Sequence, residues 1–545
     1  MSSEQITDSS KDLAVRLLKR HATLKANRKN WHTLWQDVGD YVVPNKDDIF
    51  HSQVEGEKKT NLLFDSSATR YNRVLANALF SLLTNPTTKW FELTTGDPKL
   101  DSTLNVKRWL QSCENKMRNV LNSSNLQTEL HSVYEDLGSF CTSVLFIEED
   151  KEEVVAFLAD QIYTCYIAES AKGIVSELSR ELRWDLRQIV QEFGDEWMDE
   201  ETEREYEKCI EQGTDTKHCL VQIILPEKYV MPKESTEYSP MKFKQYYILE
   251  HKKLIVSEEQ FESFPAAVPR LVKLTREVYG RGPGIDAMPD IKTINQMKKI
   301  VLKGGQLAVA PPFQGTDNSL IYPPNFQPYG MNYRRPGSDE LKPLITGARP
   351  DIGLDLIEKI QADIKEAFFF DQIRLVENDR MTATEIIQRR DEQFRSFGAI
   401  LGRLNNELLK VIIDRTFLIM SKRGMFESLP PELDKLTEVK IRYTSMIARA
   451  QASLEAETLQ RALASSATIL QAQPQTMDLI DGDEVLKMNM DIFGVNHRVL
   501  RSDKDVKNMR QARAQQQQQE MQAEQEKMQA EAQSKMMQAG AGLEG

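Results

Sequence analysis

Apolar residues recur along this chain with two periods. Over residues 11–43, Leu13, Leu17, Leu24, Trp31, Leu34, Trp35 and Val38 make a stripe at helical spacing with Lys and Arg on the other side, and Pro44 ends it. Residues 64–83 read as a second helix stopped by Asn85-Pro86, and 106–121 and 126–137 as two more, parted by Asn122-Ser-Ser-Asn125. From Val144 the pattern changes. Residues 144–147, 154–158, 163–168 and 174–183 are predicted strands, 184–206 is predicted helical, and 218–225, 244–250 and 253–256 return to strands. Such an alternation predicts an α+β fold, mainly helical, and not a parallel α/β sheet.

The stretch 279–370 opens with Tyr279-Gly280-Arg281-Gly282-Pro283-Gly284. Met288, Ile291, Ile294, Met297 and Val301 then mark a helix, and Ile357, Ile360, Ile364 and Phe368 mark another. Between them, over 304–350, 14 of 47 residues are Gly or Pro, so the insert is irregular. Helix, insert, helix is a chain that runs out along a stalk and returns. The longest predicted helix, 380–424, starts at a Thr382/Glu385 capping box and stops at Gly424. Pro430-Pro431 breaks the chain, 439–443 reads as a strand, and 446–471 as an Ala-rich helix ended by Pro474. From Gln511 the chain is a Gln/Met/Ala/Glu tract that includes Gln515–Gln519; fluctuating helix or disorder without a packed core is expected.

Composition changes this picture little. The chain has 545 residues, 40% hydrophobic and 28% charged, as in an ordinary globular protein of several units. Neither a membrane-length apolar run nor, in Met1 to Asp12, a signal-peptide core is present. The five cysteines lack any C-x-x-C pair and read as reduced thiols. A net charge of −12 argues against a nucleic-acid coat protein. The same acidity is common in proteins that never meet DNA, so the sign discriminates little beyond that.

Catalytic motifs are missing. There is no P-loop, H-E-x-x-H or Cys/His metal spacing, so no catalytic residue, metal or cofactor is assigned. Gly280–Gly284 lacks G-x-G-x-x-G spacing and Pro283 removes an amide donor, so a tight turn launching a helix is favoured over a phosphate cradle. Asp478, Asp481, Asp483 and Glu484 read as a solvated acidic loop. Lys292, Lys298, Lys299 and Lys303 give 290–303 a net charge of +3 (four Lys, one Asp), whereas 351–371 carries −4 (six acids, two Lys). Two readings stand: complementary packing of the helices, or lysines that face phosphates. Lys298 is turned about 100° from Lys299 and is expected to face a neighbouring subunit.

The run Tyr279 to Asn295 resembles the portal, or head-to-tail connector, of short-tailed double-stranded DNA phages. Trp31-His-Thr-Leu-Trp35, Tyr41-Val-Val-Pro44, Asp136-Leu-Gly138 and Met381-Thr-Ala-Thr-Glu-Ile386 match in the same order, so the likeness covers about residues 11–499. The resemblance implies a homo-oligomeric ring, typically of about twelve copies, that is a DNA channel and not an enzyme. It implies a wing or outer body at 1–280, stem helices at 281–303 and 351–370, and a clip at 304–350. A channel loop at 371–381, a long wing helix and strand at 382–444, a crown at 445–510 and a flexible tail at 511–545 complete the order. The implied channel residues are Lys292, Lys299, Lys303, Arg374 and Arg380, with Arg334 and Arg335 as clip docking points. Implied partners are double-stranded DNA, the terminase, a tail adaptor or tail tube protein, and the major capsid and scaffolding proteins, with no membrane. The implied location is the portal vertex of the virion, after assembly in the host cytoplasm. The alternatives are a DNA-packaging or DNA-processing enzyme and a non-viral helical scaffold.

Overall fold

The computed structural model describes residues 3–44, 46, 63–87, 89–101, 103–213, 216–230, 242–314, 320–323, 332–337, 342–343, 350–373, 398, 400–433, 440–443, 482–483, 485–486, 490 and 503–541. In chain order the elements begin with α1 (Ser3–Tyr41), α2 (Ser67–Leu83), β1 (Phe91–Thr94), α3 (Pro98–Asp101), α4 (Leu104–Ser123) and α5 (Leu126–Ser139). Strands β2 (Val144–Asp150), β3 (Val154–Asp160), β4 (Cys165–Glu169) and β5 (Val175–Asp185) follow, then α6 (Leu186–Phe193) and α7 (Glu200–Gln212). Next come β6 (Lys217–Pro226), β7 (Phe243–Leu249), β8 (Leu254–Phe261) and β9 (Ala266–Ala267). The remainder holds α8 (Pro283–Asp286), α9 (Met288–Val309), β10 (Phe313–Gln314), β11 (Lys342–Pro343), α10 (Pro350–Ala367), α11 (Phe370–Ile373), a further helix Lys410–Lys422, β12 (Lys440–Tyr443) and a last helix Asp503–Ala541.

Two compact units share the chain. The first comprises Met1–Trp90 and Met117–Met425, the second Phe91–Lys116 and Phe426–Gly545. The described strand pairs between β1 and β12 are all antiparallel, as the alternating pattern predicted.

The first unit holds a five-stranded sheet in the order β4-β5-β6-β7-β8 and a three-stranded one in the order β3-β2-β9. Successive side chains of a strand point to opposite faces, and both faces of the larger sheet are apolar. Val221, Ile223, Tyr246 and Ile248 pack on Ala14 and Leu17 of α1. Their immediate neighbours Leu220, Tyr247 and Leu249 pack on Leu186 and Ile189 of α6 and Cys209 of α7. The sheet is therefore the middle of three layers, with α1 outside one face and α6–α7 outside the other.

The predicted single helix over 184–206 is corrected. Trp184 lies in β5, and Asp185 caps α6 by accepting from Gln188 N at 2.8 Å while Gln188 returns a bond to Asp185 N. Gly194, at φ 77°, ends α6, and Asp199 starts α7 by accepting from Thr202 N at 2.9 Å. Two caps and a left-handed glycine outweigh a continuous apolar period. The long helix is described from Ile400 to Lys422, with Asn405–Leu409 in a π-turn, and Gly424 ends it at φ 65°. Its expected start at Thr382/Glu385 and the Ala-rich segment 446–471 lie outside the described residues.

In the second unit, β1, which the sequence pattern did not mark, pairs with β12 in the register Phe91↔Tyr443 to Thr94↔Lys440. Glu114 accepts from Leu93 N at 2.7 Å, and Trp109 Nε1 donates to Glu427 O at 3.1 Å. As far as Ala541 the tract beyond Gln511 belongs to the helix Asp503–Ala541, and residues 507–522 are exposed.

Candidate functional site

The Tyr279 run, the Trp31–Trp35 pair and Asp136–Gly138 meet at one place, whereas Met381–Ile386 lies outside the described residues. Tyr279 is buried with its ring centroid 5.6 Å from Trp31 and 5.1 Å from Trp35, and its hydroxyl accepts from Ile167 N at 3.2 Å. Gly280 N donates to Thr142 Oγ1 at 2.8 Å. A Cβ on Gly280 would stand 2.2 Å from Cys141 O, and one on Gly284 2.2 Å from Ser139 O, so side chains have no room. Gly138 is packed the same way, with Asn72 Oδ1 2.0 Å from where a Cβ would be. The space a phosphate would need is filled by the chain's own backbone. The glycines lock the start of α8 and α9 against the end of α5, and Pro283 stands at the first turn as the helix-launch reading expects.

Beside this knot, Asp136 O accepts from Phe140 N at 2.7 Å and Cys141 N at 3.0 Å. Its carboxylate accepts from Ser143 Oγ at 3.3 Å and pairs with Lys46 Nζ at 2.5 Å. Burial pushes the Asp136 carboxyl up to about 6, against the opposing pull of Lys46.

Above the knot, α9 and α10 run side by side, as expected of an outgoing and a returning stalk helix. A polar node ties them to α2. Asn295 Oδ1 accepts from Phe64 N at 2.6 Å and Asp65 N at 3.1 Å, and Gln361 Nε2 donates to Ser67 Oγ at 3.0 Å. Lys298 donates to the buried Asp65 carboxylate, so it is paired within its own chain and does not wait for a neighbouring subunit. Of the other lysines, Lys292 Nζ lies 2.7 Å from Asp37 Oδ2, and Lys299 Nζ sits 5.4 Å from the Phe64 ring centroid. Lys303 is exposed and has no ion-pair partner among the described residues. Toward the far end the helices leave apolar side chains in solvent: Ile300 is 61% exposed, Val309 88% and Leu354 53%, with Leu302 and Leu356 similarly open.

In the clip region Arg334 and Arg335 are exposed; Arg334 bridges to Leu320, and Ile321 N donates to Tyr333 O at 3.1 Å. Arg374 and Arg380 lie outside the described residues, as does most of the 371–381 segment.

Sequence reasoning missed one charged hub. Arg270, 1% exposed in its side chain, donates to Val278 O at 3.0 Å, to Gly173 O at 3.1 Å and to Glu169. It also donates to Glu407 through its backbone N (3.0 Å), Nε (3.1 Å) and Nη2 (2.7 Å). Glu407 sits in the π-turn of the long helix. The missing signal is a contact across 137 residues, which no local period encodes. His21, between Ser179 Oγ (2.7 Å) and Glu181 Oε1 (2.9 Å), has the order of a hydrolase triad. Ser179 is fully buried under α1, so the arrangement fastens α1 to the sheet and does not face a substrate.

Among the described residues no group of His, Cys, Asp or Glu is placed to hold a metal ion. The arrangement is a mechanical joint: a glycine knot that sets a two-helix stalk on an α/β/α body. Residues 14–500 match the family described as bacteriophage head to tail connecting protein, and the chain belongs to that family. It is similar to the portal protein of Salmonella phage epsilon15, at 28% identity over 513 residues, 92% of this chain and 91% of that one. It is also similar to the probable portal protein of Bordetella phage BPP-1, at 27% over 517 residues, with 92% and 91% covered. A chain of the neck of an empty GTA particle aligns at 10% identity and a TM-score of 0.37, covering 76% of this chain and 92% of that one. The family is one of structural connectors and not of enzymes.

Proposed function

We propose that copies of this chain close head to tail into a ring, of about twelve subunits, at one vertex of a phage capsid. Double-stranded DNA passes through the ring during packaging and again during ejection. In this reading α9 and α10 are the stem, 304–350 is the clip, 371–381 reaches into the channel, and 445–510 forms the crown. The terminase docks first and the tail adaptor later, with Arg334 and Arg335 among the clip contacts. The observation that supports assembly most directly is the apolar far end of the stem, where Ile300, Leu302, Val309, Leu354 and Leu356 stand exposed on a single chain. Their burial against the neighbouring stem stabilises the ring by roughly 25 cal/mol per Å² removed from water.

The stem lysines divide under this reading. Lys292 and Lys299 steady the base of α9 through Asp37 and Phe64, whereas Lys303 is left to meet phosphates. Arg374 and Arg380 are proposed to touch DNA from the channel segment. Native mass spectrometry of the purified chain tests the assembly, with a closed oligomer as the expected result. A monomer at every salt and protein concentration would overturn the reading.

A further inference from the structure

The three-layer body carries opposite charges on its two outer layers. On one face, α1 over residues 11–29 holds seven bases and one acid, a net of +6. On the other, residues 192–211 of α6–α7 and their link hold ten acids and two bases, a net of −8. The inward side of each layer is already neutralised. Arg20 pairs with Glu177 at 2.7 Å, Lys25 with Glu181 at 2.6 Å, and Glu205 with Lys252 at 2.9 Å. The outward side is not: Arg16, Lys19 and Lys29 on α1, and Glu203, Glu207 and Glu211 on α7, are exposed without ion-pair partners among the described residues.

We infer that the basic α1 face of one copy docks on the acidic α7 face of the next copy. The inference rests on the ring reading above and names the surfaces that meet. A heterologous contact needs two different, complementary patches on opposite sides of one subunit, and the sheet between α1 and α7 puts them there. Like faces meeting across a two-fold axis would oppose equal charges, which disfavours a dimer and leaves the head-to-tail arrangement. The shapes agree with the charges. An apolar cleft of about 410 Å³ opens beside α1, floored by Leu13, Leu17 and Leu225 and rimmed by Arg16 and Arg20. Ile210 is the apolar side chain that α7 leaves outside, 55% exposed among its glutamates, and is of a size to enter that cleft.

The test is charge exchange on the full-length chain, read by native mass spectrometry, with circular dichroism to verify folding. Lys19→Glu with Lys29→Glu, and separately Glu203→Lys with Glu207→Lys, each lower the ring fraction about tenfold near 0.15 M salt. The chain carrying all four changes recovers to within about twofold of the unaltered chain, because the pairs are restored with their signs exchanged. Rings that form equally well in both double variants would overturn the inference and leave the ring reading intact. Failure of the folded fourfold variant to recover would overturn it too. An unaltered chain that forms no rings would overturn the ring reading and this inference together.

Discussion

Arg270 and Glu407 are 137 residues apart and share three hydrogen bonds, of 3.0, 3.1 and 2.7 Å, at the π-turn of the long helix. The pair is sealed from solvent on the arginine side, which is 1% exposed. A π-turn widens the helix by one residue and turns Glu407 toward the body. This contact anchors the helix that follows the 371–381 segment. Replacing Arg270 by Met takes the buried cation from Glu407 and Glu169 and leaves them only Arg403 and Lys273, and breaking a buried pair costs about 3–5 kcal/mol. Urea unfolding of Arg270→Met should show a loss of that size, and a loss under 1 kcal/mol, roughly that of an exposed pair, would refute the anchoring role.

The glycine knot gives a paired prediction. Gly280→Ala and Gly284→Ala each press a methyl onto a carbonyl oxygen 2.2 Å away, and backbone cannot step aside cheaply. Each should destabilise the chain by about 1–3 kcal/mol or more. Gly402→Ala, in an exposed helical position with nothing within 4 Å, should stabilise by about 1 kcal/mol. Thermal melting of the three variants checks the contrast.

Asp136 predicts a pH dependence of defined sign. Its folded carboxyl is raised from 3.8 to about 6, so the folded state holds a proton that the unfolded state releases. The contribution is fully present below the unfolded value and is lost as pH rises from about 4 through 6. Asp136→Asn removes that loss. The variant should therefore gain stability relative to the unaltered chain between those pH values, by an amount on the order of 3 kcal/mol. Unfolding free energies of the two chains at pH 4 and pH 7, expected to diverge, measure it.

Asn295 serves two backbone N–H groups at the start of α2, from Phe64 and Asp65. Asn295→Ala leaves both without an acceptor and should cost about 1–3 kcal/mol. Hydrogen exchange at those two amides should rise in the variant. Lys303→Ala, by contrast, should leave stability unchanged and lower DNA retention in assembled particles.

Much of the fold was readable because helix and strand periods are local. The stripe Leu13–Val38, the alternation from Val144 and the two helices flanking the Gly/Pro-rich segment appear where their periods put them, but α9 runs on through Gly304 and Gly305 to Val309, past the expected start of the irregular insert. The α6–α7 break was hidden because Leu186, Ile189, Phe193 and Trp197 keep a helical rhythm across Gly194, while Gly194 and Asp199 decide the backbone. The short β1 was hidden because four residues carry too little period to recognise.

The sequence by itself determined the element types, the out-and-back stalk and the turn that launches it, since apolar spacing, proline and glycine act on neighbours. Only the tertiary structure decided which charges are spent. Four lysines of 290–303 look alike in sequence, yet Lys298 is bound to Asp65, Lys292 to Asp37, Lys299 lies on Phe64, and Lys303 remains in solvent. Likewise the acids of α7 and the bases of α1 became opposite faces only when the sheet folded between them. Charge acts through space, and the distances between these groups are set by contacts between residues hundreds of positions apart.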